Sequence, residues 1–257
     1  MEEFAEEKED WLRTFLALPN GIPSHDTLSD VFGRLNPKAF ADAFQCWVRA
    51  ALPSLSGQQV CLDGKTLRGS REGDKAVHLM SAFAAEARWV LAQQAVGEKT
   101  NEITAIPDLL SMLDIKGALI SIDAMGCQKA IAQTIVAAQA DYVLALKDNH
   151  ALLCEDVRLW LDTENAQSRL PIHETIDKSH GRIEIRRYSL STQIDWLTQK
   201  PDWAGLQAVG RVESTRIIGD KTSVEHRYYL CSFTDLSRFA KGVRQHWAIE
   251  KDRKSVV

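Results

Sequence analysis

Apolar residues recur along this chain with two different periods, and the change of period divides it. Phe4, Trp11 and Phe15 recur at helical spacing until Pro19, Asn20, Gly21 and Pro23 break the pattern. Ser24 or Asp26 is placed to cap a second short helix, and Asn36-Pro37 is an N-cap followed by a first-turn proline. Phe40, Phe44, Trp47, Val48 and Leu52 then fall on one helical face. Residues 1–52 therefore read as helical.

Beyond Pro53 and Gly57 the runs shorten and become strand-like. Gln59 to Leu62 is an apolar run ending in Asp63-Gly64. Val77 to Ala84 and Trp89 to Val96 read as two further strands with a turn near Glu86. A helix is expected over Ile103 to Leu113 behind an Asn101 cap, a strand over Ala118 to Ile122 ending in Asp123, and an alanine-rich helix over Gln128 to Gln139. Asp141 to Leu146 is a strand ending in Lys147. Short strands that each follow a helix imply parallel crossovers in an α/β sheet. Residues 151–164 look helical and 172–233 β-rich. Ser237 to Glu250 returns to helix, with Phe239, Val243 and Trp247 on adjoining faces. A β-rich segment thus reads as inserted between an α/β core and its last helix.

Composition narrows the setting. The 257 residues suffice for one large domain or for a domain with a smaller partner. Hydrophobic residues make up 45% and charged residues 26%, ordinary globular usage. The longest apolar runs are too short to cross a membrane, and the acidic start MEEFAEEKED is no secretory signal. Cys46, Cys61, Cys127, Cys154 and Cys231 are odd in number and contain no C-x-x-C pair, which predicts free thiols in a reducing cytoplasm and no zinc site. The net charge of −4 means that a nucleic-acid partner must be met by local positive charge or bound cations.

The candidate chemistry lies in Asp63 and Asp123. Both follow apolar strands, and ligands in open α/β sheets bind beyond the carboxyl ends of strands. If the strands are neighbours, the carboxylates share one site, where their repulsion favours a bridging cation. Mg²⁺ suits such oxygen ligands, and paired metals clamp both oxygens of a phosphodiester displacement. Taken singly, each aspartate reads more simply as a turn residue. Gly64-Lys65-Thr66 is not the end of a phosphate-binding loop, because Gln59 stands where that motif needs glycine. The start of haloacid-dehalogenase-like phosphatases fails similarly: Cys61 occupies the place of its nucleophilic aspartate.

Val60-Cys61-Leu62-Asp63-Gly64-Lys65-Thr66-Leu67-Arg68 resembles the first catalytic motif of the H-repeat-associated transposases, the ISAs family of insertion-sequence proteins. The resemblance continues through His78 to Phe83, Lys99 to Pro107, Ile122 to Gln128, Leu146 to Asn149, His180 to Arg186 and His246 to Glu250, in family order. It implies a ribonuclease-H-like mixed sheet with flanking helices. Residues 1–56 would be a helical remnant of the transposase-associated domain. Residues 57–257 would be the catalytic domain, with the β-rich insertion at about 165–235. It further implies an Asp-Asp-Glu triad of Asp63, Asp123 and Glu250 holding Mg²⁺, with Mn²⁺ as a substitute. The implied activity is DNA end cleavage and strand transfer by a homo-oligomer, with no membrane and no organic cofactor.

Set beside the family, the chain reads as cut at both ends: after Glu250 it continues only as KDRKSVV. The alternative expectation is therefore a catalytically dead remnant that at most binds DNA or its intact relatives. Lys65, Arg68, Lys147, His180, Arg182, Arg186 and His246 are the expected DNA-binding residues, the stretch from Lys178 to Arg187 being the most basic in mid-chain. The competing reading of that stretch is a charged outer face on an edge strand. Asn101-Glu102 reads as a helix cap, His78 as a core histidine, and Trp247, like most of the seven tryptophans, as core.

Overall fold

The computed structural model describes residues 1–52, 54–66, 78–96, 102–166, 168–179 and 181–247. It divides into two units, Met1–Ala51 and Leu52–Val257. The first holds helices α1 (Glu2–Glu7), α2 (Glu9–Leu12), α3 (His25–Arg34) and α4 (Pro37–Ala51). Ser24 caps α3, its Oγ accepting from Thr27 N at 3.3 Å. Asn36 Oδ1 accepts from Ala39 N at 3.0 Å at the start of α4. Both caps satisfy amides that a helix leaves without internal acceptors.

The second unit runs β1 (Gln59–Thr66), β2 (His78–Ala84), β3 (Trp89–Val96), α5 (Glu102–Ser111), β4 (Leu119–Ile122), α6 (Lys129–Ala137), β5 (Asp141–Leu146) and α7 (Ala151–Ala166). It continues with β6 (Ile172–Ser179), β7 (Arg182–Ser191), β8 (Ala208–Ile218), β9 (Lys221–Cys231) and α8 (Leu236–His246). Among the described residues these strands form one nine-stranded sheet, ordered β3-β2-β1-β4-β5-β9-β8-β7-β6. β4 pairs in parallel with both β1 and β5, while every other pairing is antiparallel. The arrangement is a mixed α/β fold of the ribonuclease-H-like type.

The β-rich segment differs in one respect from the expected insertion. It returns to the core, where β9 pairs with the free edge of β5 through Val143↔Cys231 to Leu146↔Tyr228, so all nine strands share one sheet. Local periodicity marks strands but not their partners, which lie far away in sequence here.

Side-chain alternation assigns the two faces. Leu119, Val143, Tyr188, Val212, Tyr229 and Cys231 meet Phe239 and Val243 of α8 in one buried cluster. Gly210 lets this helix approach: a Cβ there would lie 2.5 Å from Phe239 Cζ. On the other face Ile122 approaches Ile106 of α5 across Gly126, and Trp160 of α7 donates to Ser191 Oγ at 3.0 Å.

The expectations about the tryptophans as a set and about His78 are corrected. Of the seven tryptophans only Trp203 is buried; Trp11 and Trp47 are exposed and the others half-buried. Trp247, just past the last turn of α8, does pack against the buried cluster, but only half-buried, with the Arg227 guanidinium 4.3 Å from its ring centroid. Indole is large and tolerates a cation on its face, so an apolar helical stripe does not guarantee full burial. His78 is the first residue of β2, half-buried, its Nδ1 3.0 Å from Thr66 Oγ1, and is not a core residue.

Candidate active site

The parallel register of β1 and β4 brings the two aspartates together. Cys61 lies opposite Ser121 and Leu62 opposite Ile122, so Asp63 and Asp123 occupy the next matched position. Neighbouring strands lie about 4.8 Å apart, and matched residues point to the same face. Alternation from Cys61 and Ser121 makes that face the one covered by α8. The sequence reading is corrected on one point: Asp63 does not end its strand. β1 stops pairing with β4 at Leu62 but stays paired with β2 to Thr66, with Asp63 opposite Ser81. A second neighbour prolongs the strand past the polar residue that closes its apolar run.

The two carboxylates have different surroundings. Asp63 is half-buried, and Lys65 Nζ sits 3.3 Å from its Oδ2. Asp123 is exposed just beyond β4, and its Oδ1 accepts from Met125 N at 3.1 Å and Gly126 N at 3.3 Å. The turn-capping role of aspartate is therefore real at Asp123, and it fixes the carboxylate through one oxygen. Gly126 is required by space: a Cβ would lie 2.3 Å from Ile122 Cγ2 and 2.9 Å from Ile106 Cδ1. The segment after β5 clasps this loop. Asn149 Nδ2 donates to Ala124 O at 2.7 Å, and His150 Nε2 lies 2.7 Å from Cys127 O.

Helix α8 is tied to the same two strands by a polar ladder. Gln59 Nε2 donates to Ser121 Oγ and to Gly242 O, both at 2.8 Å. Ser121 Oγ lies 3.0 Å from His246 Nδ1. Burial pushes the Cys61 thiol up to about 12, so it is an inert core group. All five cysteines are free thiols.

A cavity of about 440 Å³ opens beside Asp123, walled by Lys147, Arg158, Arg227, His246 and Trp247. Asp63 does not line it. Lys147 is exposed at the end of β5, so two expected DNA-binding residues, Lys147 and His246, share the cavity with Asp123. Lys65 is engaged with Asp63, while Arg182 and Arg186 lie further along the sheet in ion pairs with Glu184. Glu250, Arg68, His180 and Asn101 lie outside the described residues, as does the side chain of Glu102. Among the described residues no three His, Cys, Asp or Glu side chains cluster as a metal site.

Sequence reasoning missed the residues that hold the site in place: Gln59, Ser121, Asn149 and His150. Asn149 stood within a family-like motif. Gln59 and Ser121 carried one signal, being polar residues inside otherwise apolar strand runs.

Comparison with known proteins identifies the family. Residues 1–48 match the family described as DDE_Tnp_1-associated, and residues 55–251 match the family Transposase DDE domain. The "Uncharacterized protein in dhlA 3'region" of Xanthobacter autotrophicus is 49% identical over 237 residues, covering 90% of this chain and 80% of its own length. From Escherichia coli strain K12, the "H repeat-associated putative transposase YhhI" is 37% identical over 263 residues, covering 97% of this chain and 69% of its own length. The "H repeat-associated putative transposase YbfD" of the same strain is 38% identical over 192 residues, 72% of this chain and 75% of its own length. With a DDE-domain match over more than half its length and two aspartates in register on neighbouring core strands, the chain belongs to the Transposase DDE domain family.

Proposed function

We propose that this protein is a DNA transposase that cleaves the ends of a mobile element and joins the freed 3′-hydroxyl to target DNA, acting as a homo-oligomer. The observation that carries the reading is the register of β1 and β4, which leaves Asp63 and Asp123 at matched positions on one face. Two carboxylates so close repel unless positive charge lies between them, and Lys65 answers part of that charge at Asp63. The donor set is all oxygen and suits Mg²⁺, with Mn²⁺ as a substitute. When bound, such a cation activates the attacking oxygen and stabilises the leaving one.

Glu250, which lies outside the described residues, is proposed as the third carboxylate on the family motif alone, while a polar ladder ties α8 to the two aspartate strands. Gly242 meets Gln59, and His246 meets Ser121. Four residues of helix rise about 6 Å and two residues of strand about 6.6 Å, so helix and strands advance together. The other residues orient the substrate. Lys147 and His246 face the cavity as phosphate contacts, and Asn149 and His150 hold the Asp123 loop. Arg182, Lys65, Arg68 and His180 are further DNA contacts, and Arg186 supports Arg182 through their shared partner Glu184.

The test is a nicking and strand-transfer assay on element-end DNA with Mg²⁺ or Mn²⁺. Asp63→Asn is expected to lose about 10²–10³-fold in rate, the scale of losing one transition-state-stabilising group. Equal rates for wild type and Asp63→Asn would sink the assignment.

A further inference from the structure

Although the chain carries a net charge of −4, one stretch of its surface collects arginine. Alternate residues of β7, β8 and β9 turn Arg182, Arg186, Arg216 and Arg227 to the face that bears α8, and α8 adds Arg244. Glu184 lies beneath them with its side chain only 11% exposed. It pairs with Arg182 at 3.3 Å, with Arg216 at 3.1 Å and with Arg186. Asp177 pairs with Arg186 and, at 3.1 Å, with Arg244; Glu225 pairs with Arg227 at 2.8 Å. Burial disfavours the charged form of Glu184, but Arg186, Arg182 and Arg216 outweigh it and hold its carboxyl below the usual range.

Five arginines thus face three carboxylates, a surplus of two positive charges among the described residues. Glu184 has acceptor sites for all three of its arginines but carries a single negative charge, so neutralising it does not account for the excess. The outer arginines keep donors in water: the side chains of Arg216 and Arg182 are 54% and 40% exposed. A guanidinium has five donors in a planar fork; among the described residues Arg216 turns Nε and one Nη to Glu184, and Arg182 turns Nε. These residues wall an open groove of about 370 Å³. Arg227, Glu225 and Trp247 line both this groove and the cavity at Asp123, so the two adjoin.

We propose that this groove binds the phosphodiester backbone of the DNA strand leaving the carboxylate pair. Arg182, Arg216 and Arg244 are its phosphate contacts, and Glu184 is the positioning residue that fixes their planes. The direction of the strand rests on the proposed reading of the carboxylates; the charge surplus does not. Arg216, Arg244 and Glu184 are new to the site. The ion pairs around Arg186 make it a strut within the network more than a free phosphate ligand.

The experiment uses the full chain, a labelled duplex of about 20 base pairs and EDTA, with affinity followed from about 50 to 200 mM salt. Each neutralised phosphate contact adds about 0.9 to the steepness of log affinity against log salt. Arg216→Gln and Arg182→Gln are each expected to flatten the slope by about 0.9, whereas Lys116→Gln, an exposed residue before β4, leaves it unchanged. Glu184→Gln removes a negative charge under the groove and is expected to tighten binding at the low-salt end, with an unchanged circular dichroism spectrum. Slopes of both arginine variants equal to wild type would overturn the proposal. So would poly-L-glutamate displacing the duplex at matched charge, which would mark an acidic-peptide site. Asp63→Asn separates the two readings: if its slope still depends on Arg216 while it cuts DNA as fast as wild type, the catalytic assignment fails and the groove stands.

Discussion

Strands β4 and β5 bury nearly every side chain on both faces, whereas β6 and the first half of β9 bury almost none. Both sets belong to one sheet. Around β1, β4 and β5 the apolar rows fix register, because a slip of one residue would turn Val60, Leu62 and Ile120 the wrong way. That tight specification delivers Asp63 and Asp123 to matched positions. Beyond β9 the rows hold ion pairs instead, such as Arg187 with Glu174 and Glu213, and Arg211 with Glu213. Such rows contribute less to stability but can display charge. One region holds carboxylates still; the other presents a charged surface.

If that contrast is sound, substitutions should weigh unequally across the seam. The largest effect is expected for Ile120→Ala, since Ile120 is fully buried in the middle of β4. It should cost about 2–5 kcal/mol in urea unfolding, and a smaller loss would mean that the carboxylate end is less tightly built than its burial implies. An intermediate effect is expected from acid. Glu184 and Glu213 titrate below their ordinary values of 4.5, because the neighbouring arginines outweigh burial at each. The unfolded chain therefore takes up protons more readily than the folded one at these sites. Their stabilisation is complete above about pH 4.5 and is lost as pH falls through the folded values. Glu184→Gln should flatten this acid limb of the urea midpoint, and an unaltered limb would place the sensitivity elsewhere. The smallest effect is expected for Val224→Ala on the exposed part of β9. It should fall within about 0.5 kcal/mol of wild type, and a larger loss would show that this face is covered in solution.

Much of this was legible from sequence. β3 and β5 fall where alternation and turn residues place them, and the Asn36-Pro37 cap needs only local chemistry. What local pattern did not reveal is pairing. Asp63 looked terminal because its apolar run stops there, yet β2 carries the strand three residues further. The pairing of the β-rich segment with the core was not legible, because nothing near residue 221 points to β5. The aspartates were found as individual residues, and their shared position came from a register that only the fold supplies. The arginine groove was half legible: Arg182 and Arg186 stood out in a basic stretch, but Arg216 and Arg244 arrive from other elements.

The pairing of β5 with β9 also has a consequence for synthesis. When the ribosome has finished β5 at Leu146, the outer edge of that strand has no partner, and β9 is complete only at Cys231. At about 5–20 residues per second, the intervening stretch of roughly 85 residues takes about 4–17 s to make. Throughout that interval the nascent chain carries an apolar strand with bare amides and carbonyls, a template for pairing with other chains. Among the described residues the strand that closes the sheet is the last strand to be made, and the helix bearing His246 follows it. The hazard of misassembly and the completion of the face that bears Asp63 and Asp123 are therefore resolved together, once β9 and α8 have been made.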